Sequence, residues 1–254
     1  MIDLPKYQKD YSLKKPILYD YEARKPKIDK MIMVLSNERI LDNGQCKLAM
    51  DLGCSSGLFS ESLAPYFEHV IGLDIDNHAL IKAVKDSESN NVSYMTGDSM
   101  QLPLADNSVD FIICNHVYEH VPDPEVMFSE IYRVLDTGGV CYFGAASRLT
   151  FVEPHYNLVF LSWLPKWMAH YYMRLMGKGE FYYENLRTYW GIKKLINNFS
   201  IIDYTLSIVK DPEAFSARDL IPENSLIEKI PLFIWKLFYW FLPGYIFVLR
   251  KQEN

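Results

Sequence analysis

The stretch 48-LAMDLGCSSG-57 passes from apolar residues to an acid and then to two glycines and two serines. The apolar run predicts a buried strand, and the small residues after it predict a loop whose backbone can lie close to a neighbouring group. Such a loop can be a simple turn or the wall of a ligand site. The residues at fixed distances downstream distinguish these two interpretations.

Further short apolar runs follow this one, and amphipathic stretches separate them. Three of the apolar runs are nearly continuous, which is typical of strands covered on both faces. Alternating strands and helices predict a parallel sheet with right-handed crossovers, an α/β fold. The predicted strands are 47–53, 69–75, 92–97, 109–115 and 139–145, and the predicted helices are 58–67, 78–88 and 125–135.

Polar side chains recur at the ends of the first four predicted strands. Asp51, Asp74, Asp98 and Asn115 follow one another at intervals of 23, 24 and 17 residues. In doubly wound sheets, ligands bind outside the carboxyl ends of the strands. The spacing therefore predicts a ligand crevice lined by these four side chains.

Composition restricts the class of protein. The chain has 254 residues, enough for one α/β domain with insertions, and a net charge of −6 with no basic run, which argues against nucleic acid as a partner. The four cysteines (Cys46, Cys54, Cys114 and Cys141) form no C-x-x-C pair and no zinc set with histidine, so we expect reduced interior thiols and no metal. The N-terminus has no apolar core of signal-peptide length, so we expect a cytoplasmic protein.

The loop after the first strand departs from the dinucleotide-binding pattern, because Gly53 and Gly57 are spaced G-x-x-x-G rather than G-x-G-x-x-G. It resembles motif I of the class I S-adenosylmethionine (SAM)-dependent methyltransferases, acid-x-G-x-G-x-G, with Ser55 at the middle glycine. The stretch 109-VDFIICNHVYEHVPDPEVMFSEIYRVLDTGG-139 is similar to the fourth-strand region of the type 11 branch of that family.

The resemblance implies a doubly wound, mostly parallel, seven-stranded Rossmann-like sheet with SAM as the cofactor. It places Asp74 on the ribose hydroxyls and Asp98 and Ser99 at the adenine. The cofactor-binding residues it implies are Asp51, Gly53, Cys54, Gly57, Asp74, Ile75, Asp98, Ser99 and Asn115. His116 and His120 are the candidate catalytic residues, and His155 and Tyr156 are further candidate bases. For the acids the alternatives stay open: Asp51 as a helix N-cap, and Asp74 and Asp98 as ordinary turn residues.

The second half of the chain carries two apolar insertions, at about 150–185 and 211–243, within a domain that we expect to span 46–254 after a helical lead-in at 1–45. Residues 154–179 contain no Asp or Glu, and within them Lys166, His170 and Arg174 recur every four residues. This pattern predicts a basic amphipathic helix. Residues 189–199 predict a helix, and 201–209 and 245–250 predict the last two strands.

Two interpretations of the insertions remain at this point. They pack on each other as a lid over the cofactor, or they also touch a membrane or lipid through 154–179 and 230–243, which would bring the protein to the inner membrane face. The function predicted is methyl transfer to a small, hydrophobic or lipid- or sugar-linked acceptor. The alternatives are a SAM-binding protein without turnover and an NAD-dependent oxidoreductase.

Overall fold

The strands of the computed structural model, which describes residues 9–41 and 47–252, form one large sheet and one hairpin. The large sheet has seven strands in the order β3-β2-β1-β4-β5-β9-β8. The strands are β1 (Leu48–Leu52), β2 (His69–Asp74), β3 (Val92–Thr96), β4 (Val109–Asn115), β5 (Leu135–Ala146), β6 (Val152–Glu153), β7 (Leu158–Val159), β8 (Ser200–Asp203) and β9 (Gly244–Arg250). Strands β6 and β7 pair separately as the antiparallel hairpin.

The helices cover the sheet and form most of the insertions. They are α1 (Tyr21–Asn37), α2 (Leu58–Leu63), α3 (Asn77–Asp86), α4 (Pro124–Val134), α5 (Lys166–Leu175), α6 (Tyr189–Leu195), α7 (Thr205–Lys210) and α8 (Leu232–Leu237). Short 3₁₀ turns lie at Ser12–Lys14, Pro16–Tyr19, Ala64–Tyr66, Leu161–Trp163 and Tyr239–Phe241. None of the helices in the described ranges is long and apolar enough to cross a bilayer.

The predicted fold class is confirmed. Strands β1 to β5 are parallel, whereas β9 runs antiparallel to both β5 and β8. The order reverses at β1, because the chain adds β2 and β3 on one side of it and β4 on the other. The carboxyl ends of β1, β2 and β4 therefore border one crevice, the usual ligand position in such sheets.

Apolar side chains cover both faces of the sheet, because successive strand residues point to opposite sides. On one face, Met50 and Ile112 pack with α4 and α6, and the predicted apolar faces of both helices are buried there. On the other face, Ala49 and Phe111 pack against α1 and α2. The thiols of Cys54, Cys114 and Cys141 are free and buried; Cys46 lies outside the described residues.

One predicted strand is wrong over most of its length. Residues 201–209 were expected to be extended, but β8 ends at Asp203 and α7 follows at Thr205. The Asp203 carboxylate accepts a hydrogen bond from the Thr205 backbone N–H at 2.9 Å and so turns the chain at this point. The β-branched residues of 201–209 suit a strand, and this local hydrogen bond with packing against β9 overrides that preference.

The N-terminal segment lies across the carboxyl edge of the sheet. Helix α1 begins after Asp20, whose carboxylate accepts from the Ala23 backbone N–H at 3.2 Å. The Ser12 backbone N–H donates to Asp76 at 2.8 Å and ties the segment to the loop after β2. The described part of the predicted lead-in contains two 3₁₀ turns and α1. Its predicted boundary with the main domain, between residues 45 and 46, lies outside the described residues.

Candidate active site

The loop after β1 turns sharply through residues with left-handed backbone, two of which face the cavity. Gly53 has φ +72° and Ser55 has φ +50°. The Gly53 backbone N–H donates to the Leu73 carbonyl at 2.8 Å, and the Ser55 backbone N–H donates to Asp74 Oδ2 at 2.7 Å. The loop is therefore held against the end of β2, and its backbone forms one wall of a cavity.

Asp74 is both a loop anchor and a candidate ligand group. Its second oxygen, Oδ1, accepts from the Asp76 backbone N–H at 2.8 Å. A carboxylate has about four lone-pair sites, so acceptor capacity remains on both oxygens. Burial raises the pKa of Asp74, and the backbone N–H groups of Asp76 and Ser55 oppose that rise. The turn-residue alternative and the ligand role are thus compatible at this position.

A cavity of about 400 Å³ lies along the carboxyl ends of β1, β2 and β4. Six of the nine predicted cofactor residues line it: Gly53, Asp74, Ile75, Asp98, Ser99 and Asn115. Asp98 also orders its own loop by accepting from the Met100 backbone N–H at 2.8 Å. Both candidate catalytic histidines, His116 and His120, line the same cavity, together with His155.

The other three predicted cofactor residues lie outside the cavity lining. Asp51 is 4 % exposed and accepts from the Ser60 hydroxyl at 2.7 Å, so it is not the N-cap of α2, a position taken by Gly57. Burial raises the pKa of Asp51 to about 7. A Cβ on Gly57 would meet the Tyr94 hydroxyl and would lie 2.7 Å from Tyr94 Cζ. Cys54 is buried, and burial raises the pKa of its thiol well above the usual value.

The N-terminal segment adds groups to the cavity that the sequence motifs did not indicate. Tyr11, Lys15 and Arg24 line it from this side. The Arg24 guanidinium lies 5.4 Å from the Phe59 ring centroid, and its Nε is buried with no hydrogen-bond partner among the described residues. Burial lowers the pKa of Arg24, and the nearby Asp51 opposes that. No local signal marks Arg24, because only tertiary folding brings α1 over the crevice.

His116 forms a pair with a buried carboxylate. Its backbone is left-handed (φ +59°), which turns the side chain out of the end of β4. His116 Nδ1 lies 3.3 Å from Glu119 Oε1, and Glu119 is fully buried. Burial lowers the pKa of His116, with Glu119 opposing that. Burial alone would raise the pKa of Glu119, but His116 and the neighbouring histidines lower it to about 2.

A second carboxylate–histidine pair comes from the first insertion. His155 Nδ1 lies 2.6 Å from Glu153 Oε1, and the buried Glu153 also accepts from the backbone N–H groups of His155 and Tyr156 through Oε2. Burial opposes a charge on His155, but the Glu153 hydrogen bond and the nearby acids raise its pKa above the ordinary value. The His120 and His155 rings meet edge to face, with centroids 4.9 Å apart.

Comparisons with known proteins agree with this geometry. Residues 50–143 match the methyltransferase domain family of type 11. Residues 50–143 form a class I SAM-dependent methyltransferase domain. The ubiquinone biosynthesis O-methyltransferase of Coxiella burnetii is 32 % identical over 104 residues, which are 40 % of this chain and 44 % of that protein. A sterol 24-C-methyltransferase of Gibberella zeae is 33 % identical over 96 residues, which are 36 % of this chain and 25 % of that protein. The chain thus spans less than half the length of these relatives.

A solved structure extends the likeness beyond the matched domain. The SAM-dependent methyltransferase from Mesorhizobium loti superposes with a TM-score of 0.55 at 16 % identity, covering 86 % of this chain and 97 % of that one. At this identity the likeness concerns the fold alone. The cofactor of the methyltransferase domain is SAM.

The residues that line the cavity fit SAM. Asp74 keeps free acceptor sites for hydroxyl groups, and the loop at Gly53 leaves backbone open to the cavity. The Ser55 hydroxyl and Arg24 Nε are buried polar groups without a partner among the described residues, and both residues line the cavity. Buried polar groups normally have a hydrogen-bond partner, so a polar ligand is expected beside these two. SAM carries hydroxyl, ammonium and carboxylate groups that these positions can bind.

A larger, open depression of about 630 Å³ lies among Asp106, Arg133 and Lys251. Asp106 and Arg133 precede β4 and β5 in the chain, so this depression lies at the opposite edge of the sheet from the crevice. Arg133 is already paired there with Asp106 and Glu130. The cavity at the carboxyl ends is therefore the candidate active site.

Proposed function

We propose that the protein is a SAM-dependent methyltransferase that methylates an oxygen of a small, hydrophobic or lipid-linked acceptor. One observation carries the proposal: a single cavity is lined at one side by Asp74 and Asp98 and at the other by His116, which forms a pair with the buried Glu119. The first pair suits the cofactor, and the second suits the removal of a proton from an acceptor.

In this mechanism the cofactor supplies an electrophilic methyl group on a good, neutral leaving group. The chain binds the cofactor and the acceptor and orients them. Asp74 would accept from the ribose hydroxyls, Asp98 and Ser99 would contact the adenine, and Arg24 would bind the carboxylate of the methionine part. Alignment of acceptor and methyl group within about 3–3.5 Å provides most of the rate.

The proposed role of His116 is to accept the acceptor's hydroxyl proton. Its Nδ1 is engaged by Glu119 Oε1, which leaves the other ring nitrogen for the substrate and fixes the ring orientation. General-base assistance of this kind contributes roughly 10²–10⁴ in rate. An oxygen nucleophile needs this assistance, whereas an amine needs only to be deprotonated, so the pair favours an O-acceptor.

The names of the relatives give the acceptor its proposed class. One acts in ubiquinone biosynthesis and the other on sterols, and both names refer to hydrophobic molecules. In this chain, the first insertion contributes Pro154 and His155 to the cavity, so the insertion would contact the acceptor. The second insertion packs on the first through Trp163 and Phe241, whose ring centroids are 6.0 Å apart. That packing supports the lid interpretation.

The contacts of α5 show that two of the basic residues on which the membrane hypothesis was based are engaged within the protein. The Lys166 ammonium donates to the carbonyls of Tyr182, Tyr183 and Glu184, and His170 Nδ1 accepts from the Tyr182 backbone N–H at 2.9 Å. These two members of the predicted basic stripe therefore serve the fold rather than an anionic surface.

An apolar stripe is exposed on α5 instead. Trp167, Tyr171 and Leu175 are 72 %, 64 % and 69 % exposed, and Phe233 and Leu237 on α8 are 68 % and 65 % exposed. We propose that this surface contacts a membrane or lipid when the acceptor is lipid-linked. Full burial of such side chains gives roughly 1.5–3 kcal/mol each, enough for reversible attachment.

Calorimetry with SAM, S-adenosylhomocysteine and NAD tests the proposed cofactor, and labelled SAM in a cell extract tests turnover. We expect SAM and S-adenosylhomocysteine to bind and label to enter an organic-extractable product. His116→Ala should lower turnover by at least about 100-fold while SAM affinity stays unchanged. SAM binding without any transfer would support the alternative, a non-catalytic SAM-binding protein. Binding of NAD alone would overturn the proposal.

Liposome cosedimentation tests the apolar surface. Trp167→Ser with Leu175→Ser should reduce binding to vesicles, and high salt should have little effect because the contact is apolar. The matched control is Ile81→Ser with Val84→Ser, which removes two exposed apolar side chains from α3. Equal loss in both double variants, or no binding by the wild type, would contradict the membrane part and leave the methyltransferase part intact.

A further inference from the structure

Three side chains on the acceptor side of the cavity form a second cluster, the Glu119–His120–His155 cluster. One ligand atom from each of the three lies within 4.8 Å of the others. Glu119 and His120 follow β4, whereas His155 comes from the turn between β6 and β7, 35 residues later in the chain. The spacing of the sequence therefore gave no indication of this cluster.

The hydrogen bonds of the cluster leave one electron-pair donor on each residue. The carboxylate of Glu153 can only accept, so His155 Nδ1 carries the proton between them, and in the neutral imidazole His155 Nε2 keeps its lone pair. Glu119 Oε1 faces His116. Glu119 Oε2 and His120 Nδ1 are buried and have no hydrogen-bond partner among the described residues.

Each of the three residues can offer an electron pair at this point, and a cation would accept from all of them. Buried polar groups are nearly always satisfied, and a metal ion would satisfy the oxygen and both nitrogens together. The surroundings have the arrangement that supports metal sites, in which a ligating histidine donates its other N–H to a carboxylate. Glu153 does this for His155, and it is itself fully buried and held by two backbone N–H groups.

We propose that Glu119, His120 and His155 bind one divalent transition-metal ion. Two imidazoles and one carboxylate are a ligand set that suits Zn²⁺, Fe²⁺ or Co²⁺ and leaves at least one coordination position open. Bonds of about 2.0–2.2 Å require ligand atoms roughly 3–3.5 Å apart, so binding draws the three side chains inward by about 1 Å. His120 and His155 are only partly buried and have room for this adjustment.

The open position faces the cavity, because His120 and His155 both line it. Its role rests on the proposed function: the ion would hold the oxygen of the acceptor and lower the pKa of its hydroxyl. The proton then passes to His116, and the oxygen forms its bond to the methyl carbon as the carbon–sulfur bond breaks. The electron pair of that bond leaves with S-adenosylhomocysteine, so no oxidant or reductant is needed.

Zn²⁺ titration by calorimetry, with full-length protein stripped by a chelator, tests the site. We expect one equivalent to bind and His155→Ala or Glu119→Gln to lower the affinity by at least about 100-fold. Glu153→Gln, which keeps all three ligands, should lower it about 10- to 100-fold. His78→Ala is the control, because His78 lies exposed on α3 and is not one of the three residues of the cluster.

Co²⁺ absorption identifies the ligand types, since nitrogen and oxygen ligands give visible ligand-field bands without the charge-transfer band of a thiolate. A thiolate band would place the metal on a cysteine and overturn the proposal. Absence of Zn²⁺ binding by the wild type, or equal binding by His155→Ala, would also overturn it.

SAM affinity of each variant, measured in the same preparation, separates this proposal from the proposed function. Unchanged SAM binding by His155→Ala shows that the variant is folded, so that its lost metal binding supports the site. Metal binding by a wild type that binds no SAM would leave the site standing and overturn the methyltransferase proposal.

Discussion

Replacement of Arg24 by methionine should weaken cofactor binding without lowering the stability of the protein. Arg24 lines the cofactor cavity with a buried Nε that has no hydrogen-bond partner among the described residues, and Asp51, the acid that opposes the lowering of its pKa, is itself buried. If Arg24 binds the carboxylate of SAM, its loss removes a charge-assisted hydrogen bond worth about 1.5–3 kcal/mol. The Kd for SAM should then rise roughly 10- to 150-fold.

Stability should not fall in the same variant. Methionine keeps an apolar stem that can pack on Phe59, where the guanidinium now lies 5.4 Å from the ring centroid. It also removes a desolvated charge whose Nε has no hydrogen-bond partner among the described residues. We therefore expect the free energy of unfolding of the SAM-free protein to stay within about 1 kcal/mol of the wild type or to rise.

Isothermal calorimetry gives the Kd, and urea unfolding of the SAM-free protein gives the stability. Lys25→Met is the matched control, since Lys25 is the next residue of α1 and forms a surface ion pair with Asp29. Surface pairs contribute little, so both quantities should be unchanged in the control. Wild-type SAM affinity in Arg24→Met would refute the assignment. A loss of stability with unchanged affinity would make Arg24 a structural residue.

Three further predictions concern Gly57, Asp51 and Asp74. Gly57→Ala should destabilise the protein by about 2–4 kcal/mol in urea unfolding, because the φ of Gly57, +78°, is left-handed and the new Cβ would strike Tyr94. Adding Tyr94→Ala to this variant should recover part of that loss. No recovery would exclude the contact with Tyr94 as the cause. The pKa of Asp51 is raised to about 7, so the folded SAM-free protein holds a proton that the unfolded chain releases near pH 4. The free energy of unfolding should therefore fall by about 2–3 kcal/mol from pH 5 to pH 7. Asp51→Asn should flatten this slope, whereas the control Glu68→Gln should not. Asp74→Ala should weaken SAM binding by roughly 10- to 100-fold or more. The change removes the proposed acceptor for the ribose hydroxyls and also the acceptor for the Ser55 N–H, which fixes the loop. A wild-type Kd from calorimetry would count against the ribose assignment.

The local sequence determined the elements and the cofactor side of the site. Apolar runs and helical periodicity gave the strands and helices of residues 48–146 within a few residues, because burial on both faces of a sheet demands nearly continuous apolar strands. Polar residues at strand ends are close together whenever strands are parallel, so Asp74, Asp98 and Asn115 could be assigned to one crevice before their contacts were known. The motif likewise indicated Gly57, but the contact with Tyr94 that makes this glycine necessary is tertiary.

Tertiary structure alone decided everything that depends on distant segments. Arg24 reaches the cavity because α1 packs over the crevice, and His155 meets His120 because the β6–β7 hairpin folds back over the same edge. The face that α5 presents was also decided there: its basic residues looked suited to a surface, but Lys166 is held by carbonyls of residues 182–184. A helical pattern shows which side chains share a face, whereas the partners available to each face determine which one turns outward, and those partners lie far away in the chain.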